Sequence, residues 1–408
     1  MAEAKKKLLI TAMSMNIGGA EKSLVNLLNL LDYEAYDVDL LLFQRRGDFL
    51  PQVPAQVNVV SVPEIDVLYG VEPRDAISPA RELALKAWRF LATGVTRIAK
   101  RQFDRRRLLR WQRFYSARIP KLTGCYDCAV SYSGGETFWY VVEKVEADIM
   151  VVYYHNDYSN IDIDVEGELR YLESADYVAT ISDICADSLK RIFPTQADKV
   201  RIAQNPTCVG LTRRLSEEYV DDGFEVGSER LKVVSVGRVE DSKGFDMAVK
   251  AAAIVKREMG PCFEWVVVGD GSRREAVQAL IECEGVGDVI RLVGSKLNPY
   301  PYMAGADLLA QTSRFEGKSV VVDEARVLGL PVLATDYTSA RDQVRDGADG
   351  LIVPMDPDGI ARGIEALLRD PALLGRLGGG AASIDVAALE DITSFTCLLS
   401  GPQEIKDR

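Results

Sequence analysis

The sequence predicts an α/β protein built from two Rossmann-like, doubly wound domains with a cleft between them. Three observations carry this. Short apolar runs alternate with amphipathic helical stretches, the pattern of parallel sheets flanked by helices. The alternation runs once, breaks, and restarts. At 408 residues the chain also exceeds the length at which a single hydrophobic core keeps growing.

In the first half the strands are expected at Leu8–Met13, Val38–Phe43, Val57–Val62, Cys128–Tyr132, Ile149–His155, Tyr177–Ser182 and Val200–Ala203. Helical patterns at Glu21–Leu31, Glu136–Val145, Glu166–Ser174 and Ile184–Ile192 separate them. The second set of strands is Leu231–Val236, Glu264–Val268, Val289–Val293, Leu308–Gln311, Val332–Thr335 and Leu351–Val353. Its helices are expected at Gly244–Glu258, Arg273–Glu284, within Ser319–Leu328, and at Asp358–Leu368. The segment 207–230 is irregular and acidic, so it reads as a linker between domains at 1–206 and 231–386. Beyond Gly378-Gly379-Gly380, the stretch 387–408 reads as a last helix crossing back to the first domain.

Composition is that of an ordinary folded protein, with 47% apolar and 27% charged residues. A net charge of −12 argues against general nucleic-acid affinity. The cationic start, Lys5 to Lys7, leads into an apolar run too short for a secretion signal. No stretch approaches the roughly 20 apolar residues of a membrane span. Seven cysteines without a repeating spacing then point to free thiols in a reducing, cytoplasmic setting.

Three turns in the second half hold the chemistry. Gly237 to Gly244 lies between a strand and a helix, where free N–H groups and the helix dipole favour an anion. Arg238 and Lys243 add a forked donor and a point charge, suited to a diphosphate; taken alone, the stretch reads equally as a surface turn with solvated cations. Gly269-Asp270-Gly271-Ser272 follows the next strand; without the third glycine of a dinucleotide fingerprint, it reads as a capped tight turn. The third is Ser313-Arg314-Phe315-Glu316-Gly317-Lys318-Ser319, with Glu324 on the helix that follows. At about 1.5 Å per residue the helical part separates Glu316 from Glu324 by roughly 10 Å. A carboxylate accepts hydrogen bonds from a vicinal diol, so the pair suits a ligand with two polyol ends joined by a diphosphate. Glu316 would hold a transferred sugar and Glu324 a ribose, with Gly317, Lys318 and Ser319 facing the phosphates. On spacing alone, Glu324 reads as a plain surface helix residue, since glutamate pairs are common.

These residues, taken in order, resemble glycosyltransferase family 4. The matching elements are G-R-x5-K-G (237–244), G-D-G (269–271), S-x-x-E-G (313–317), E-x7-E (316–324) and G-x-P-V (329–332), together spanning roughly 235–370. Asn16-Ile17-Gly18-Gly19-Ala20-Glu21 resembles the family's glycine turn over the donor diphosphate. Asp323 departs from the apolar residue commonest before the second glutamate. The form E-G-K-S-x3-D-E-A (316–325) resembles a subgroup acting in capsular and other cell-surface polysaccharide assembly. The resemblance implies the GT-B fold and a nucleotide-diphosphate sugar as donor, a UDP-sugar first and a GDP-sugar second. It also implies retention of anomeric configuration, with no cofactor and no metal. Arg238 and Lys243 would neutralise the leaving diphosphate, and Gly18 and Gly19 would approach it closely.

His155 is the chain's only histidine. Alone it reads as a structural residue. In the resemblance it occupies the place of the histidine beside the donor sugar, acting through side chain or backbone carbonyl, with Asp157 as a candidate for the acceptor hydroxyl. The acceptor implied is a glycan or lipid-linked glycan. Two other readings stay open: a nucleotide-sugar epimerase, and a silent sugar-nucleotide-binding subunit.

Within the basic insertion at 78–121, Arg81 to Lys121 carries thirteen Lys or Arg residues against only Glu82 and Asp104. Arg105, Arg106, Arg107 and Arg110 run beside Trp111, with Trp88 and Phe90 upstream. Such interleaving predicts a helix on an anionic membrane surface, placing the protein peripherally at the inner face of the plasma membrane. A solvated helical insertion, or one packed on a subunit of opposite charge, is the alternative.

Overall fold

The computed structural model describes residues 4–98, 103–155, 158, 164–224 and 227–400. The chain divides into two compact units. One is formed by 1–206 together with the chain from Ile392 onward, the other by Thr207–Asp391.

The first unit holds seven parallel strands: β1 (Lys6–Ala12), β2 (Tyr36–Leu42), β3 (Asn58–Val60), β4 (Cys125–Ser131), β5 (Glu146–Tyr154), β6 (Tyr177–Thr180) and β7 (Val200–Ile202). Their order is β3-β2-β1-β4-β5-β6-β7. The chain winds outward from β1 in one direction and then from β4 in the other, so the switch point lies between β1 and β4. The second unit repeats the logic with β8 (Leu231–Val236), β9 (Phe263–Val268), β10 (Ile290–Gly294), β11 (Leu308–Gln311), β12 (Val332–Thr335) and β13 (Gly350–Val353). Its order, β10-β9-β8-β11-β12-β13, puts the switch between β8 and β11. Leu308 pairs with Val233 and Leu309 with Val234 there, and Ser235 Oγ donates to the Ala310 carbonyl at 2.5 Å.

Central strands such as Phe263-Glu264-Trp265-Val266-Val267-Val268 are buried along their whole length. Helices cover both faces of the sheet, so a parallel strand reads as an apolar run without alternation. Two apolar clusters flank the second sheet, one around Trp265 and Phe245, the other around Tyr300 and Val322.

The structure departs from the sequence reading where polarity hides order. The segment read as a linker contains a helix, Val209–Ser216, packed on the helices Tyr300–Ala304 and Val320–Val327. Further along, Asp222 accepts from Lys296 Nζ at 2.5 Å and from the Tyr302 hydroxyl. Its polar side chains bond to the second unit, which hydropathy does not register. The triple glycine lies inside a helix, Pro371–Ala382. There a Cβ on Gly380 would come within 1.9 Å of the Ala348 carbonyl oxygen, so the glycine permits close approach and does not end the helix. The last helix is broken. A turn at Val386–Glu390 stays with the second unit, where Leu389 O and Glu390 Oε1 accept from Thr207 N and Val209 N. Thr393–Leu398 joins the first unit, with the Phe395 ring 6.3 Å from that of Tyr153.

The basic insertion is structured as two helices, Pro79–Ile98 and Phe103–Arg110, the second running into a wider turn at Trp111–Tyr115. Membrane contact through Arg107, Arg110 and Trp111 is corrected here. Both guanidiniums grip the buried carboxylate of Glu136, Arg110 at 2.9 Å. The Trp111 indole is fully buried and donates to Glu143 Oε1 at 3.0 Å. These groups fasten the insertion to the helix Glu136–Lys144, because a buried carboxylate requires a cationic partner. Arg105 stays exposed beside Asp164 at 3.6 Å, and Arg106 is half-buried. Among the described residues, no single helix is long and apolar enough to cross a membrane.

Candidate functional site

The loops after β8 and β11 flank the second sheet's switch point, where open α/β sheets bind ligands. Several bonds stitch them together. Arg314 N donates to Ser242 O at 2.7 Å, Thr312 Oγ1 to Lys243 O at 3.0 Å, and the Arg314 guanidinium forks onto Asp246 at 2.8 and 2.7 Å. Gly244 has φ +65°, and a Cβ there would lie 2.1 Å from Thr312 O. Only glycine lets the two loops meet so closely.

Lys243 and Glu316 meet across this seam. The Lys243 Nζ stands 2.5 Å from Glu316 Oε1. The same oxygen accepts from Gln311 Nε2 at 2.7 Å and Ser313 Oγ at 2.6 Å. Three donors on one oxygen hold the carboxylate in place and leave Oε2 without a hydrogen bond among the described residues. The Glu316 carbonyl is fixed in turn by Ser339 Oγ at 3.0 Å. Arg238 is exposed at the same sheet edge; its carbonyl accepts from Glu240 N at 2.8 Å, and its guanidinium has no hydrogen bond or ion pair among the described residues.

The helix Val320–Val327 starts at this edge, and its first-turn N–H groups have no partner within the helix. Ser319, at its N-cap, leaves a buried hydroxyl without a partner among the described residues. The amide of Gln343 clamps the start of the helix from behind: Oε1 accepts from Ser319 N at 2.8 Å, and Nε2 donates to Ser319 O and to Asp323 Oδ1. Lys318 pairs with Asp323 at 3.1 Å. Its charge is directed onto that buried acid, a different placement from the phosphate-facing one expected. Glu324 faces inward, 3% exposed, and accepts from the Tyr300 hydroxyl at 2.6 Å. It is not a surface helix residue.

The Gly269-Asp270-Gly271-Ser272 turn serves packing. A Cβ on Gly269 would sit 1.9 Å from Gly237 O, and Ser272 bonds through N and Oγ to Glu240. This turn braces the Arg238 loop.

In the first unit the expected residues lie at the C-terminal edge of its own sheet. Gly18 caps the helix Gly19–Leu30 in an extended conformation, φ −170°. Neither Gly18 nor Gly19 has a positive φ. Instead, a Cβ on Gly18 would meet Glu21 Oε2 at 2.3 Å, and Gly19 is open on its Cβ side. Tyr132 links this helix to His155. Its hydroxyl bonds Ser23 Oγ at 2.8 Å, and its carbonyl accepts from His155 Nε2 at 3.0 Å. The imidazole packs 4.7 Å from the Tyr132 ring and 5.2 Å from that of Tyr153. Burial pushes its pKa down to about 4, outweighing the Tyr132 and Asn205 contacts that favour the cation. Asp157 lies outside the described residues.

His155 is accordingly neutral at physiological pH. With one histidine in the chain, an untagged sample gives one imidazole signal. Its C–H proton shift is expected to stay flat from pH 8 to pH 5.5 and to move only nearer 4; a midpoint near 6.5 contradicts this placement. Depression below the ordinary 6.5 also has a stability consequence. Its contribution is present above 6.5 and is lost as pH falls towards 4.

Gln311, Arg314, Tyr300 and Gln343 went unassigned in the sequence. Gln311 carried one signal, a polar residue closing an otherwise apolar strand. Gln343 carried none.

Residues 221–383 match the family model described as "Glycosyl transferases group 1". The chain is 26% identical over 234 residues to an alpha-D-kanosaminyltransferase of Streptomyces kanamyceticus, covering 54% of this chain and 58% of that one. It spans 54%, 38% and 35% of three other curated relatives. Over 370 residues, and 89% of each chain, it is 22% identical to a GalNAc-alpha-(1->4)-GalNAc-alpha-(1->3)-diNAcBac-PP-undecaprenol alpha-1,4-N-acetyl-D-galactosaminyltransferase of Campylobacter jejuni. The structure of Anabaena Alr3699/HepE with UDP-glucose aligns at a TM-score of 0.67 and 17% identity, covering 99% of this chain and 100% of that one. At that identity the likeness is one of fold, and the fold is GT-B.

Proposed function

Taking the group 1 glycosyl transferase domain as premise, we propose that this chain transfers a sugar from a nucleotide-diphosphate donor to a glycan or lipid-linked glycan acceptor. The Lys243–Glu316 pair, held by Gln311 and Ser313 beside the switch point, carries this reading. The anomeric configuration is retained, in the manner of family 4 and its polysaccharide-assembling subgroup, and the donor is a UDP-sugar.

The chemistry is positional and electrostatic. Glu316 is locked through Oε1, so Oε2 is the atom that takes a sugar hydroxyl. Lys243 and Arg238, with the free N–H groups and the Ser319 hydroxyl at the start of Val320–Val327, stabilise charge on the departing diphosphate. Glu324 accepts from the ribose beside Tyr300. The Gly18-Gly19 turn at the diphosphate and His155 at the sugar belong to the same proposal; His155 acts as a neutral hydrogen-bonding group or through its carbonyl. No side chain is needed as a nucleophile: the acceptor hydroxyl attacks the anomeric carbon from the face the diphosphate leaves, the anomeric C–O bond to phosphate breaks, and the leaving phosphate takes the acceptor's proton. Asp157 remains the proposed acceptor-side carboxylate.

A thermal-shift screen across UDP-, GDP-, ADP- and dTDP-sugars tests this, followed by donor hydrolysis and transfer assays. The expected result is stabilisation by a UDP-sugar and slow release of UDP, with Glu316→Ala inactive and still folded. Isomerisation of the donor without acceptor identifies an epimerase instead. Tight nucleotide binding with neither transfer nor hydrolysis identifies a silent subunit.

A further inference from the structure

The helix Pro79–Ile98 has two apolar faces, and the fold uses only one. Leu85 and Ala92 are buried in the first unit's core. Trp88 is covered by the Arg118 guanidinium, 3.5 Å from its ring centre, and by Phe114. Another face carries Leu83, Ala87, Phe90, Leu91, Gly94 and Val95. Their spacing of four, three, one, three and one residues makes a single helical stripe.

Leu83 and Phe90 are 70% and 72% exposed. With Leu91 and Val95 they make up four of the nine large apolar residues exposed among those described. The other five lie on separate elements. Scattered exposed apolar residues are ordinary, but a contiguous set marks a contact surface. Lys86 and Arg97 border the stripe along one flank, at about 100° per residue. The surrounding segment, Arg81 to Lys121, has thirteen cations against two acids in a chain whose net charge is −12. Arg107 and Arg110 are neutralised by Glu136, and Lys86 lies 2.5 Å from Glu82, while Arg97 and Arg113 are exposed.

We propose that this helix face docks on an anionic lipid surface, with Leu83, Phe90 and Leu91 entering the acyl boundary and Lys86 and Arg97 reaching headgroup phosphates. Charge selects the occupant. Pairing the stripe with a second copy of itself would set one strongly cationic segment against another. The remainder of the chain carries a net negative charge, so this cationic segment is the part drawn to an anionic surface. The proposal stands independently of the transfer reaction, and it moves the membrane contact from Trp111 to Phe90.

Co-sedimentation of the full chain with phosphatidylcholine vesicles, with and without phosphatidylglycerol, tests it. Binding is expected only where phosphatidylglycerol is present, and it weakens with added salt. The double variant Phe90→Ser/Leu91→Ser loses binding, and Lys86→Glu/Arg97→Glu weakens it by about tenfold or more. Because these side chains are exposed, donor hydrolysis and melting temperature stay unchanged in both variants. Failure of the wild type to bind either vesicle overturns the proposal, as does undiminished binding by Phe90→Ser/Leu91→Ser. A wild-type dimer in light scattering that the same variant makes monomeric assigns the stripe to a second copy and overturns it too.

Discussion

Lys243→Ala is expected to lower the turnover number for sugar transfer by about 10²–10³-fold, the range for removing one preorganised donor from a developing charge. The ammonium does not sit in the core. It is 21% exposed and lies against Glu316 Oε1 at the seam of two loops. Ser313 and Gln311 still hold that oxygen after truncation, so the carboxylate keeps its position and the fold its melting temperature. What is lost is the charge that meets the leaving diphosphate. Turnover at saturating donor, alongside a circular-dichroism melt, distinguishes the two effects. Near wild-type turnover in a folded variant would falsify the assignment of Lys243.

Glu136→Ala is expected to destabilise the first unit by about 3 kcal/mol, the low end of the cost of breaking a buried ion pair. Glu136 is 1% exposed and neutralises Arg107 and Arg110, whose side chains are 24% and 30% exposed. Removing it leaves two half-buried cations facing each other without an anion. The low end applies because both arginines retain some water. For a unit of this size, that corresponds to a fall of about 6–12 °C in its thermal transition. Differential scanning calorimetry reads it, and a shift under 1 °C sinks the prediction. Acid acts on the same group. Burial alone would raise the Glu136 pKa, but Arg107 and Arg110 together hold it below the ordinary 4.5. A carboxylate with a lowered folded-state pKa contributes fully above its unfolded value. This contribution therefore fades as the pH falls from about 4.5 through the lowered folded value.

Glu136 also shows where sequence reading stops. It was legible as the first residue of a helix, and Arg107 and Arg110 as part of a cationic run, but their union spans 29 and 26 residues. Nothing in local pattern connects a buried acid to a particular arginine. Trp111 misled for the same reason: an aromatic beside arginines looks the same whether it faces lipid or a core. Asp323 differs again. The sequence marked it as a departure from the family it resembles, and the structure shows Lys318 and Gln343 answering it.

The sequence alone determined the two doubly wound sheets, the order of the turns at their edges, and the Glu316 and Glu324 pair. Each depends on short-range facts: apolar runs of strand length, glycines after strands, cations opening helices. Tertiary structure alone decided which atoms those residues present. It turned Glu324 inward under Tyr300, tied Lys318 to Asp323, and joined Lys243 to Glu316 across 73 residues. The physical reason is that hydrogen bonds and ion pairs depend on distance and burial. Between residues far apart in the chain, only packing sets either one.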